Sequence, residues 1–264
     1  MTSHEFAFFS FELSHNNIKG SALSITDKAL VHRIIHVVRC KVGQQIILFT
    51  HEVHAVCIIT DFTKKTVLVS CGPIIKNVIL KPSIYVLLPL LKREAFDEAL
   101  YSCGELGVTG IQLIKTLKCS RQTISHSEQE RIERLMCAAA EQSKQFAFPY
   151  FLNQGAVVSL NDFFSLPQSE QIFKDSFALC ADLKGGLWND SLFSKIQSAQ
   201  SIIIAIGPEG DFVKEEKELL KQQGFVSCVL GPTVLRAQQA VTVLAGMLRT
   251  LTFSGSMETL IKKE

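Results

Sequence analysis

The sequence predicts an α/β chain in two parts, a small β-rich module followed by a parallel sheet covered by helices. Three observations carry this reading. Short runs of β-branched and aromatic residues, separated by polar breaks, fill the chain before residue 72. From about residue 75 onward, apolar strand-like runs alternate with segments of helical periodicity. At 264 residues, 47% hydrophobic and 20% charged, the chain can bury one large core or two ordinary ones. With 15 Gly and 7 Pro it is neither collagen-like nor low in complexity.

Taken in order, the elements are these. Phe6, Phe8, Phe9 and Phe11 are apolar, but no basic stretch precedes them and Ser10 and Glu12 interrupt, so no targeting signal is expected. Residues 29–38 are amphipathic and predict one short helix. Residues 46–49, 53–60 and 66–71 read as strands, with breaks at 50–52 and 61–65, giving a barrel-like or sandwich module. The boundary falls at 72/73, so the two domains are 1–72 and 73–264. Residues 84–91 form a continuous apolar run, as in a strand covered on both faces. That run is the longest in the chain and far below the ~18 residues needed to span a bilayer.

Phe96, Ala99, Leu100 and Cys103 follow at helical spacing, with Gly107 as the stop. Residues 111–114 are the next strand, and Ser127-x-x-Glu130 reads as a capping box opening a helix with Ile132, Leu135, Met136 and Ala139 on one face. Residues 177–181, 202–206 and 225–230 are three more strands, and 213–223 is a charged helix stopped by Gly224. The last helix places Ala240, Val243, Leu244, Met247, Leu248 and Leu251 on a single face, and the polar tail from Ser254 onward is expected to fray.

Eight cysteines include no C-x-x-C pair, and Cys180 and Cys228 sit in apolar runs, so a reduced, soluble, cytoplasmic chain is expected. Net charge is only +2. Residues 1–71 carry seven Lys/Arg against five Asp/Glu and six of the seven His, whereas the remainder carries twenty against twenty. That distribution fits a modest RNA-contacting surface on the first module.

Ligands of open α/β sheets bind beyond the carboxyl ends of strands. Two strand endings stand out: Ile206-Gly207-Pro208-Glu209-Gly210-Asp211-Phe212 and Leu230-Gly231-Pro232-Thr233-Val234-Leu235-Arg236. Each is strand, Gly-Pro, then helix. One such turn is most simply a tight connection; two in consecutive units point to a shared ligand site walled by both loops. Neither matches a phosphate-cradling motif, which argues against a nucleotide-phosphate site.

These loops resemble the GPEGGF and LGxxILRxETA segments of the RsmE-type ribosomal RNA methyltransferases, which belong to the SPOUT superfamily. Other segments are similar in the family's order: HRIIHVVRCKVG over 32–43, Lys92, Glu105-Leu106-Gly107-Val108, Ser120-Arg121 in part, and Ala140-Glu141-Gln142-Ser143. The resemblance covers nearly the whole chain. It implies a PUA-like β-barrel over 1–72 that binds RNA, and a SPOUT domain over 73–264 whose parallel sheet carries a trefoil knot. It implies S-adenosylmethionine as cofactor and a homodimer methylating uridine N3 in 16S ribosomal RNA, free or in the small subunit.

Carried onto this chain, cofactor binding falls to Ile206, Gly207, Pro208, Gly210, Leu230, Gly231, Pro232, Leu235 and Ala240. Arg236 and Glu209 are the candidate catalytic side chains. Arg236, directly after the second loop, is placed to stabilise charge on the uracil; Glu209 is as readily a ligand of loop amides or a cap for the following helix. Arg33, Arg39, Lys41, Lys92 and Arg121 are the candidate RNA contacts. His32 and His36, and the His51-Glu52-Val53-His54 run, lack the spacing of a metal site, and neither metal nor membrane is expected. The chain departs from the family at Gln238-Gln239 for Glu-Thr, Gln145 for Arg and Asp211 for Gly. Gln238 cannot take up a proton as a carboxylate does. These departures favour the alternative of a diverged, weakly active or inactive RNA-binding homologue.

Overall fold

A computed structural model describes residues 5–13, 22–174 and 176–253; the tail from Ser254 lies outside them. The chain divides into two compact units, one of residues up to 78 together with 137–148, the other of 79–136 together with those from 149 on.

The first unit contains β1 (Phe6–Phe9), β2 (Ala22–Ile25), α1 (Lys28–His32), β3 (Gln45–Phe49), β4 (Val53–Phe62), β5 (Val67–Cys71) and β6 (Ile75–Lys76). Its sheet runs β1-β3-β4-β5-β2, with β6 on β4. The β1–β3 pair is parallel, Phe6 opposite Ile46, and the others are antiparallel. Alternation sets the core face: along β5, Val67, Val69 and Cys71 are buried while Leu68 is 40% exposed. Asp27 caps α1 by accepting the Leu30 N–H at 2.7 Å. The amphipathic segment then continues as a π-helical turn, Arg33–Val37, closed by Arg39 at φ 60°.

Segment 137–148 completes this unit, a return that the sequence pattern did not disclose. Ala140 and Phe146 pack against Ala7, Ile47 and Phe49. The Glu141 carboxylate accepts both Arg33 guanidinium nitrogens, at 3.1 and 2.6 Å, and the Phe9 N–H at 3.1 Å.

The second unit contains β7 (Ser83–Pro89), α2 (Arg93–Glu105), β8 (Gly110–Lys115), the start of α3 (His126–Ser143), β9 (Tyr150–Phe151), β10 (Val158–Ser159), α4 (Leu160–Phe164), α5 (Pro167–Phe173) and β11 (Ser176–Gly186). These are followed by α6 (Asp190–Ser198), β12 (Ser201–Ala205), α7 (Lys214–Gln222), β13 (Val226–Cys228) and α8 (Ala237–Thr252). Every strand pair is parallel, in the order β10-β8-β7-β12-β11-β13 with β9 on β8. The central strands β7 and β12 are almost wholly buried, which explains their unbroken apolar runs. Gly107 and Gly224, both at positive φ, end α2 and α7.

Two local expectations are corrected. Helix α3 begins at His126, because the Ser125 hydroxyl, two residues before the expected cap, accepts the Glu128 N–H at 3.3 Å; Glu130 faces His126 instead. Strand β11 runs to Gly186 rather than ending at 181, and it carries a bulge: both Ala181 and Gly186 pair with Cys228. A Cβ on Gly185 would lie 2.6 Å from the Cys228 backbone nitrogen, so only glycine fits this approach.

Candidate active site

The strand order reverses between β7 and β12: β8 flanks one and β11 the other. Such a reversal opens a crevice at the carboxyl ends of the strands. A cavity of about 630 Å³ lies there, within the 300–1,000 Å³ typical of ligand sites. The segments after β7, β12 and β13 and the bulge of β11 contribute to it, together with the first turns of α2 and α8. Strands β12 and β13 are not neighbours, since β11 runs between them, yet both Gly-Pro loops face this one cavity.

From the first loop, Ile206, Gly207, Pro208, Glu209 and Asp211 line it; from the second, Leu230, Leu235 and Arg236, with Ala240 from α8. Gly210, Gly231 and Pro232 are outside the lining. The turn at Gly207 is tight: a Cβ would sit 3.1 Å from Asp211 Oδ1 and 3.2 Å from the Phe212 nitrogen. The Gly210 carbonyl instead accepts Lys118 Nζ at 2.7 Å, which fastens the first loop from outside.

Glu209 reaches across to α2, where its carboxylate accepts the Lys92 N–H at 3.0 Å. Its partner is therefore the entrance of α2, not the helix that follows its own loop; α7 is capped by Glu216, which accepts the Val213 N–H at 3.0 Å. Arg236 is the N-cap residue of α8, exposed and on the cavity wall, with no ion-pair partner among the described residues. Lys92 also lines the cavity. Arg121 does not: its guanidinium donates to the Leu91 carbonyl at 3.2 Å and pairs with Glu128, leaving the side chain 22% exposed. It steadies the backbone just before Lys92.

Arg33, Arg39 and Lys41 belong to the first unit. Arg33 is committed to Glu141, whose hydrogen bonds raise the guanidinium pKa, while Arg39 and Lys41 are exposed. Of the departures, Gln238 is buried on the cavity wall and Gln239 lies outside it. The Gln145 amide donates to the Val78 and Ala147 carbonyls, 3.3 Å each, within the first unit.

Sequence reasoning missed the β11 contribution of Ala181, Asp182 and Leu183 and the α2 contribution of Glu94, Ala95 and Glu98. A bulge leaves no mark in hydrophobic periodicity; the one available signal was Gly185-Gly186 just beyond an apolar strand. The lining holds the carboxylates of Glu94, Glu98, Asp182, Glu209 and Asp211 against the cations Lys92 and Arg236, with Asp182 and Asp211 also paired to Lys217 outside the lining. An acid-rich wall with apolar patches suits a ligand that carries positive charge beside an apolar part and disfavours a polyphosphate. Among the described residues no cluster has the makings of a metal site, and no helix is long and apolar enough to cross a membrane.

An open parallel sheet with its ligand cavity at the strand-order reversal defines an α/β protein with an enzyme-like site. The chain belongs to the RNA methyltransferase domain family, whose family model matches residues 80–249. It is 29% identical over 241 residues to the ribosomal RNA small subunit methyltransferase E of Bacillus subtilis strain 168, covering 87% of this chain and 90% of that protein. Among solved structures, the ribosomal RNA small subunit methyltransferase E of Neisseria gonorrhoeae, bound to S-adenosylmethionine, superimposes with a TM-score of 0.76 at 19% identity, over 94% of this chain and 98% of that one. A Legionella pneumophila protein in complex with the same cofactor gives 0.76 at 22% identity, over 93% and 97%.

Proposed function

We propose that this chain transfers a methyl group from S-adenosylmethionine to N3 of uridine in 16S ribosomal RNA, alone or in the small subunit. The observation that carries the reading is the acid-rich cavity at the strand-order reversal, walled by two Gly-Pro loops, in a member of the RNA methyltransferase domain family. The Bacillus and Neisseria relatives, by their names, support the substrate, and the cofactor in the Neisseria and Legionella structures supports the ligand.

The lining fits that cofactor. Ile206, Pro208, Leu230, Leu235 and Ala240 offer apolar contact to an adenine ring, and the carboxylates of Glu94 and Glu98 complement the positive sulfonium and ammonium groups. Backbone groups of Gly207, Gly210, Gly231 and Pro232 shape the two loops that hold it. When bound, S-adenosylmethionine supplies an electrophilic methyl group. Arg236 would stabilise the negative charge left on the uracil ring when N3 gives up its proton to solvent, and Glu209 fixes the first loop to α2 so that the ring is aligned.

The same reading assigns residues 1–72 to a PUA-like RNA-binding domain and 73–264 to a SPOUT domain with a trefoil knot, acting as a homodimer in the cytoplasm. Arg39, Lys41 and Lys92 contact RNA phosphate directly; Arg33 and Arg121, held by Glu141 and Glu128, shape the surfaces beside them. The test is mass spectrometry of 16S ribosomal RNA nucleosides from cells lacking the gene. Loss of 3-methyluridine, restored by purified protein acting on the unmethylated small subunits, is expected; retention of the modified base refutes the reading.

A further inference from the structure

Position 211 carries Asp where the resembled loop carries Gly, and its backbone is left-handed, φ 62°. Asp is among the few side chains that tolerate this region. Here it also makes contacts a glycine lacks. Asp211 Oδ1 accepts the Phe212 N–H at 2.7 Å, and Oδ2 accepts Lys217 Nζ at 2.7 Å. The same ammonium reaches Asp182 Oδ2 at 2.9 Å, and Asp182 Oδ1 accepts the Lys184 N–H at 3.0 Å. One lysine of α7 thus joins the loop after β12 to the bulge of β11. Both carboxylates belong to the cavity wall, while Lys217 stands behind it.

The contact is sheltered at its inner end: the Asp182 side chain is 11% exposed and Lys217 29%. Burial opposes charge on both. For Asp182 the bonds from Lys184 and Lys217 outweigh it and hold the carboxyl below its ordinary range. For Lys217 the two carboxylates outweigh it and raise the ammonium.

We propose that Asp211, Lys217 and Asp182 act as a positioning clamp, locking the first Gly-Pro loop to the β11 bulge so that the cavity is shaped for its cofactor before binding. Preorganisation of this kind strengthens binding by lowering the cost of ordering the site. The inference rests on the cofactor reading above, and the experiment separates the two. Asp211→Gly restores the resembled residue and relieves the backbone, yet frees the loop from Lys217, which keeps Asp182; Lys217→Met breaks both ion pairs; Lys217→Arg keeps them. Calorimetric titration with S-adenosylmethionine is expected to show binding about five- to tenfold weaker in the first two variants and within about twofold in the third.

Amide hydrogen exchange across residues 206–212, measured without ligand, is expected to quicken in Lys217→Met and to stay slow in Lys217→Arg. Equal affinity in wild type and Lys217→Met, or unchanged loop exchange, overturns the clamp. Absence of S-adenosylmethionine binding in wild type overturns the cofactor reading and, with it, the clamp's role in binding; the exchange measurement still decides whether the loop is held.

Discussion

Replacing Arg249 by Met should destabilise the second unit by about 3 kcal/mol. The guanidinium leaves α8 and donates to three backbone carbonyls: Leu106 at 3.0 Å, Pro82 at 2.7 Å, and Gly107. Leu106 and Gly107 follow the end of α2, where a cation also meets the negative end of the helix dipole. Among the described residues no carboxylate pairs with Arg249, and burial pushes the guanidinium down to about 10. Three bonds from one charged donor, already net of desolvation and less than additive because a single side chain makes them, together contribute about 3 kcal/mol. Met preserves most of the stem's packing, so the loss reports the fork rather than a cavity.

Urea unfolding followed by the fluorescence of Trp188, the single tryptophan, reads this unit alone. A fall in midpoint temperature of roughly 6–12 °C should accompany it. Arg249→Lys should lose about half as much, because a point charge cannot span three carbonyls. A loss below about 1 kcal/mol in the Met variant, the range of ordinary surface changes, would refute the reasoning.

Arg236→Ala should lower methyl transfer by about a hundredfold, the usual cost of losing one preorganised donor, with S-adenosylmethionine affinity nearly unchanged; undiminished turnover in a steady-state assay would move the role to Glu209. Arg39→Ala with Lys41→Ala should weaken RNA binding and flatten its salt dependence without altering thermal stability, whereas Arg33→Ala should cost about 1–2 kcal/mol by stranding Glu141, only 13% exposed; filter binding at several salt concentrations beside thermal melts distinguishes the two effects. Under native alkylation with iodoacetamide, Cys137 should be labelled first, since it alone of the eight cysteines is not buried and burial pushes Cys103, Cys180 and Cys228 up to about 12; early labelling of Cys103 in a peptide map would contradict this.

What the sequence disclosed follows from the range over which each interaction acts. The central strands were legible because burial on both faces leaves an unbroken apolar run, as at Ile202, Ile203 and Ile204. The two loops were legible because Gly-Pro pairs punctuate the chain locally. Strand β1 was not, because its partner β3 is some forty residues away and Phe6–Phe9 has no alternation of its own. The Glu209 bond to Lys92 spans 117 positions, and the Arg33–Glu141 pair 108; no local pattern records either. Motif order placed Arg236 and Glu209 beside one cavity, yet it gave no sign that β11 would bulge at Asp182 and supply part of the wall.

The pairing of β7 with β12, Ser83 opposite Ser201, has a consequence for synthesis. Strand β7 leaves the ribosome more than a hundred residues before the strand that will cover its edge. During that interval Tyr85, Val86 and Leu87 have a partner on one side only, β8, and the other edge stands open to any passing strand. Parallel pairs separated so widely also close slowly, because the loop entropy is lost before the contacts form. A nascent chain halted before β12 is thus a half-sheet with an adhesive flank, and the sheet can close only when the last third of the message has been read.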